Sequence, residues 1–209
     1  MRAHSADRLR QGLAVRAVEV LGLPESVAGA RPSLDKYRLQ ADPQCLRGLS
    51  AVLAAQLPSD TEVLAGIELG GVPLAAALAL ETGLPWALVR RGSGRPPEAG
   101  RTAGAAVTGR RTVVVKDMAR TGAAITAAAA LLREGGAVVT HAAVGLNWNP
   151  GLAEQLLPVG VVPLTALTLP ELRRAWRGSA VRGQGWVETG EGGEGVPGGS
   201  RTTQEGGTA

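Results

Sequence analysis

Apolar and polar positions along this chain follow two periods, and the switches between them predict most of its elements. Residues 5–21 alternate at helical spacing and predict a first helix. The following stretch, GLPESVAGARPSLDKY, is rich in turn formers and reads as irregular. Asp42-Pro43 then sets a capping carboxylate before a proline in the first turn, so a helix is expected from residue 43 to about Leu57, stopped by Pro58. Short apolar runs follow, each suited to a buried strand: 63–69 (VLAGIEL), 85–90 (PWALVR), 112–116 (TVVVK) and 137–144 (AVVTHAAV). Between them lie helical stretches, one opening at the glycines of 70–83 and stopping at Gly83, another spanning GAAITAAAALLREGG. Residues 91–110 are rich in Gly, Pro and Arg without apolar periodicity, and are expected to form a mobile loop. Beyond 150 come a helical LAEQLL, an apolar VGVVPLTAL and a last helix with Pro170 near its start. Strands alternating with helices predict an α/β fold, a mainly parallel sheet covered by helices on both faces. In such sheets ligands bind at the carboxyl ends of the strands, here just after Leu69, Arg90 and Lys116.

Composition narrows the picture. The 209 residues are 44% hydrophobic, enough for one domain with a sizeable core, yet there is no Phe and one Tyr. The core must be packed from Ala, Leu and Val. From 186 to 209 the chain is dominated by Gly and Glu and is expected to be a disordered tail. The single cysteine, Cys45, rules out an internal disulfide and a cysteine-based zinc site, and reads as a small buried apolar residue. No apolar run is long enough to span a bilayer, and MRAHSADRLRQGLAVRAVEVLG lacks the apolar core of a signal peptide, so a cytoplasmic protein is expected.

Net charge is +4, and it is unevenly spread. Between 90 and 120 seven arginines and Lys116 face only Glu98 and Asp117, which favours an anionic partner. No aromatic residue interleaves them and no recognition helix is evident, so nucleic acid ranks last among such partners. His4 and His141 lie in no metal motif, and no metal ligands are assigned. His141 is expected in a strand as a core or edge residue, and Arg173, Arg174 and Arg177 as a solvated helix face.

The segment VVVKDMARTGAA (113–124) carries the most chemistry. A hydrophobic strand leads into the carboxylate of Asp117, and Arg120, Thr121 and Gly122 precede a helix. Backbone N–H groups at such a turn can cradle a phosphate, Thr121 adding a hydroxyl and Arg120 a charge. ELGGVPLA (68–75) is a second strand–turn–helix junction, whose glycines permit close approach of the backbone to a ligand. Taken by itself, that second junction fits an ordinary αβ connection without a ligand better.

VVVKDMARTGAA resembles the phosphoribosyl-pyrophosphate signature of type I phosphoribosyltransferases. Together with LDKYRLQADPQCLRGL (34–49) and ELGGVPLAAALALETGLPWALVRR (68–91), in that order and spacing, it is similar to orotate phosphoribosyltransferases over about residues 30–180. The resemblance implies the type I phosphoribosyltransferase fold, with an N-terminal helix and hood segment over 1–40, an α/β domain over 41–180 and a mobile loop. It also implies transfer of phosphoribose from phosphoribosyl pyrophosphate to orotate with Mg2+, in a homodimer. Asp117 matches the acidic residue that holds the ribose hydroxyls. Thr121, Gly122, Ala123 and Ala124 match the 5'-phosphate loop, Leu69, Gly70 and Gly71 the pyrophosphate side, Lys36 and Tyr37 the N-terminal segment, and Arg90 and Arg91 the start of the loop.

The departures from that pattern point elsewhere. The first acidic residue of the signature is replaced by Lys116, and the first threonine of the phosphate loop by Arg120. The loop has no lysine: the family's catalytic lysine falls near Gly94, leaving Arg91 and Arg95 as candidates to stand in. THAAVGLNWNP lacks the Asp-Arg pair expected to contact the base; Trp148 lies there instead. The expectation is a relative whose orotate transfer is greatly reduced or lost. Two alternatives stay open, an active enzyme with arginines in place of lysines and a non-catalytic nucleotide-binding or regulatory protein.

Overall fold

The computed structural model describes residues 2–21, 35–90 and 101–178. Arg91, Arg95 and the 186–209 tail lie outside them. Three helices come first: α1 (Arg2–Leu21), the short α2 (Lys36–Ala41) and α3 (Pro43–Ala54). Asp35 caps α2, its Oδ1 accepting from Tyr37 N at 2.9 Å, and Asp42 caps α3, its Oδ1 accepting from Cys45 N at 2.8 Å. Arg16 of α1 donates to Asp42 Oδ2 at 2.6 Å, tying α1 to the corner between α2 and α3. That guanidinium and the cap hold the Asp42 carboxyl down at about 2. Cys45 is fully buried, and burial, followed by the Asp42 charge, pushes its thiol up to about 12. It is an inert core residue, as its sequence setting predicts.

The remaining chain is β1 (Val63–Ile67), α4 (Gly71–Thr82), β2 (Trp86–Val89), β3 (Thr102–Gly104), β4 (Arg111–Ala119), α5 (Ala123–Glu134), β5 (Val138–Asn147), α6 (Leu152–Leu156), β6 (Val162–Thr168) and α7 (Leu169–Gly178). The strands form one six-stranded sheet in the order β3-β2-β1-β4-β5-β6. Every pairing is parallel except that of β3 with β2. Strand alternation divides the core in two. Leu64, Val113 and Val115 face a layer built by α1, α3, α4 and α7, while Val63, Ala65, Ile67, Val114 and Val144 face α5 and α6. The expected α/β architecture with helices on both faces is present.

Several boundaries differ from expectation. The first helix starts at Arg2, ahead of residue 5. Helix α3 ends at Ala54 and not near Leu57, because the chain tightens into i→i−3 bonds (Gln56 N to Leu53 O, Leu57 N to Ala54 O) before Pro58 arrives. The expected loop at 91–110 contains a strand: Thr102–Gly104 pairs antiparallel with β2, Ala87 opposite Gly104 and Val89 opposite Thr102. Strand β4 runs on to Ala119, three residues past Lys116, because β5 stays beside it as far as Asn147. Arg173, expected on a solvated face, is half-buried and has a partner, while Arg174 and Arg177 are exposed.

Candidate functional site

The sheet changes direction between β1 and β4. From β1 the chain moves outward to β2 and β3, then returns to the other side of β1 for β4, β5 and β6. A crevice opens at the carboxyl ends of the strands at such a switch. Here the pairing of β1 with β4 ends at Gly66 opposite Val115. Lys116 and Asp117 therefore continue with β5 on one side and no strand on the other. Into this gap come the turn after β1 (Glu68–Gly70, with a cis Glu68–Leu69 peptide) and the turn after β4 (Arg120–Gly122).

Asp117 lies at the centre. Its side chain is 2% exposed, and both oxygens are engaged by ammonium groups: Lys116 Nζ on Oδ1, and Lys36 Nζ on Oδ2 at 2.9 Å. Burial alone would raise the Asp117 carboxyl, but the hydrogen bond and charge of Lys116, then Lys36, outweigh it and hold the group below its ordinary value of 3.8. The carboxylate is therefore ionised at neutral pH. Lys36 comes from the first turn of α2, where its ammonium also sits 5.0 Å from the centre of the exposed Tyr37 ring. The structure thus brings together Lys36, Tyr37, Lys116 and Asp117, from segments about eighty residues apart in the chain.

The glycines of the β1–α4 junction fit around this cluster. A Cβ on Gly70 would collide with Asp117 Oδ2, and one on Gly71 would stand 2.5 Å from Val115 O. The close approach that these glycines permit is therefore to β4 itself. Leu69, between the cis peptide and Gly70, is 70% exposed. Across the crevice, Arg120, Thr121 and Ala123 are exposed, Ala124 is half-buried, and Gly122 is buried at the start of α5. Gly122 N donates to Gln155 Oε1 of α6 at 3.1 Å, so one amide of the expected phosphate cradle already has a protein partner. The sequence reading missed Gln155, and nothing local could have found it, since it lies 33 residues further on. Arg90 is half-buried at the end of β2, and its backbone N donates to Arg101 O at 2.9 Å. Trp148 is half-buried against the core, and His141 is half-buried in β5 with Nδ1 at 2.9 Å from Thr140 Oγ1.

The donor set does not suit a divalent cation. Among the described residues no group of three or more His, Cys, Asp or Glu is placed to hold a metal ion. Asp117 Oδ1 meets Lys116 Nζ, and Oδ2, which accepts no hydrogen bond, lies 2.9 Å from Lys36 Nζ; a doubly charged ion about 4 Å from either lysine would be repelled by about 8 kcal/mol at an effective dielectric of about 20. That exceeds the attraction of the single carboxylate once both lysines are counted. No helix among the described residues is long and apolar enough to cross a membrane.

The profile of the phosphoribosyl transferase domain matches residues 40–169, more than half of the chain. The orotate phosphoribosyltransferase of Halobacterium salinarum is 38% identical over 139 residues, which cover 66% of this chain and 79% of that protein. That of a Nocardioides species is 35% identical over 141 residues, covering 68% and 79%. Among solved structures, Mycobacterium tuberculosis orotate phosphoribosyltransferase in complex with 5-phospho-α-D-ribosyl 1-diphosphate superposes with a TM-score of 0.66 at 23% identity, covering 79% of this chain and 92% of that one; it bears on the fold alone. The matched profile spans β1 to β6 with both junctions of the crevice, and both of these sequence relatives are orotate phosphoribosyltransferases: the chain belongs to the orotate phosphoribosyltransferase family of type I phosphoribosyltransferases, as a divergent member.

Proposed function

We propose that the crevice around Asp117 binds the ribose-phosphate part of phosphoribosyl pyrophosphate or of a nucleotide, and that transfer to orotate is greatly reduced or lost. The observation that carries this reading is the Lys36–Asp117–Lys116 cluster, in which one carboxylate stands between two ammonium groups. Two lysine side chains at the switch point suit a phosphorylated ligand. The exposed Thr121 hydroxyl and the N-terminus of α5 offer further donors to a phosphate. The M. tuberculosis relative is described in complex with phosphoribosyl pyrophosphate, which supports the ligand class.

Chemistry is a different demand. Departure of pyrophosphate from a ribosyl centre places positive charge on the sugar, and acceleration comes from groups that stabilise that state more than the ground state. A lysine where the family has a carboxylate works against a cationic sugar, and loss of one stabilising group costs about 3 kcal/mol, or roughly a hundredfold in rate. The loop lysine is also missing from the sequence, leaving Arg91 and Arg95 as the cationic residues of that stretch.

We further propose that the chain acts as a homodimer. Pro73, Ala76, Ala77 and Leu80 lie along one face of α4 at helical spacing, and Leu80 is 90% exposed. Sedimentation of wild-type and Leu80→Glu proteins checks this, a dimer converted to monomer being the expected result.

The deciding experiment follows pyrophosphate release from phosphoribosyl pyrophosphate, with and without orotate, by purified wild-type protein. Binding without orotate-dependent release is the expected outcome. Orotate-dependent turnover at a rate typical of enzymes, roughly 1 per second or faster, would establish the active alternative, with arginines acting for the lysines.

A further inference from the structure

We infer that Lys36 is exchanged for the ring hydroxyls of the ligand: in the free protein its ammonium covers Asp117 Oδ2, and a bound ribose phosphate displaces it, so that the crevice selects ligands carrying both hydroxyls and phosphate. The inference rests on reading the crevice as a ribose-phosphate site and adds which part of the ligand meets the carboxylate and what leaves first. An ionised carboxylate only accepts hydrogen bonds, so it takes the hydroxyls of such a ligand and repels its phosphate. In the free protein Asp117 is closed to them. Oδ1 meets Lys116 Nζ, and Oδ2 stands between Lys36 Nζ, at 2.9 Å, and Gly70, where an added Cβ would collide with it. Of these neighbours Lys36 is the one able to make way. Gly70 is buried backbone and the Lys116 side chain is 10% exposed, whereas that of Lys36 is 31% exposed, on a flexible four-carbon stem from the first turn of α2. Its hold is also incomplete: the ammonium lies within ion-pair distance, yet Oδ2 accepts no hydrogen bond. A buried carboxylate oxygen with an unused acceptor position gains from a well-directed hydroxyl donor, since hydrogen bonds to charged groups are the stronger kind. A ligand with phosphate and no hydroxyl finds the carboxylate already covered and gains nothing there.

Tyr37 reports the exchange. It is the one tyrosine of the chain, and Lys36 Nζ stands 5.0 Å from the centre of its ring. Protein labelled with fluorotyrosine therefore gives a single fluorine resonance, followed by NMR during titration with ribose 5-phosphate while calorimetry measures binding in parallel. In wild type the resonance is expected to shift in step with binding. Tetrahydrofurfuryl phosphate, which keeps the ring and the phosphate but has no ring hydroxyl, is expected to leave it in place. Lys36→Met, which keeps the stem and removes the ammonium, is expected to start away from the wild-type position and to shift no further with ribose 5-phosphate. Heat of binding with an unmoved wild-type resonance overturns this inference while leaving the proposed function standing. An equal shift in Lys36→Met, which marks direct contact of the ligand with the ring, also overturns it, as does an equal shift with tetrahydrofurfuryl phosphate. Thermal unfolding shows whether Lys36→Met folds; if it does not, the two wild-type titrations decide alone. Absence of binding of ribose 5-phosphate to wild type overturns the proposed function and this inference together.

Discussion

The two junctions that flank the crevice share a plan, strand then turn then helix, yet they are built for opposite purposes. After β1 the turn is folded inward: Gly70 and Gly71 are buried, and added side-chain atoms would meet Asp117 Oδ2 and Val115 O. After β4 the turn is open: Arg120 and Thr121 are exposed, and a Cβ on Gly122 would meet the Leu156 Cδ2 methyl at 3.0 Å. One junction holds the central carboxylate in place, and the other presents donors to solvent. Glycine is used in the first to admit a neighbour from the same protein and in the second to start a helix beside the end of a leucine side chain. The same residue type in the same motif therefore does not imply the same task.

This contrast can be broken most severely at its centre. Asp117→Ala leaves Lys36 and Lys116 without their carboxylate, and should cost about 3–5 kcal/mol in chemical denaturation. Acid should produce part of the same loss. Because the folded-state carboxyl lies below its ordinary 3.8, its stabilisation is fully present above about pH 4. It is lost as pH falls through the lower folded value. Stability measured from pH 6 downward should therefore decline below about pH 4 in wild type, and less steeply in Asp117→Asn.

Gly70→Ala should cost about 1–3 kcal/mol, since the carboxylate it meets is fixed by two ion pairs and cannot step aside. Gly122→Ala, at the matching place in the other junction, should cost under about 1 kcal/mol because the leucine methyl can move. Equal costs, read from the same denaturation curves, would remove the distinction between the junctions. A smaller effect is expected from Gln155→Ala, which strips the Gly122 amide of its acceptor, at about 0.5–1.5 kcal/mol. Faster hydrogen exchange at that amide would confirm that Gln155 is what steadies the open turn.

Much of the fold was legible before any coordinates, and the reason is visible in single elements. Asp42-Pro43 announces α3 because capping and proline chemistry are local. The β-branched run at 112–115 announces β4 for a similar reason. What escaped depended on partners distant in sequence. Strand β4 continues through Lys116 and Asp117 because β5 pairs with it there, although a lysine and an aspartate read as the end of an apolar strand. Three residues of β3 are strand only because β2 offers an edge. At the site, the motif singled out Asp117, Thr121 and the glycines as candidates, but the reach of Lys36 and the hold of Gln155 on Gly122 belong to tertiary contacts that no local pattern encodes.

The bond from Arg90 N to Arg101 O closes the base of the segment between β2 and β3. Whatever lies between these two anchors starts and returns at one fixed edge of the sheet. Entropy of closure rises slowly with length, by about 0.6 kcal/mol for each doubling. Arg90 and Arg101 are thus fixed attachment points, between which a stretch of another length and charge can be grafted. A lysine-bearing loop from an active relative could be transplanted onto these anchors, and the chemistry of the loop assayed apart from the chemistry of the crevice.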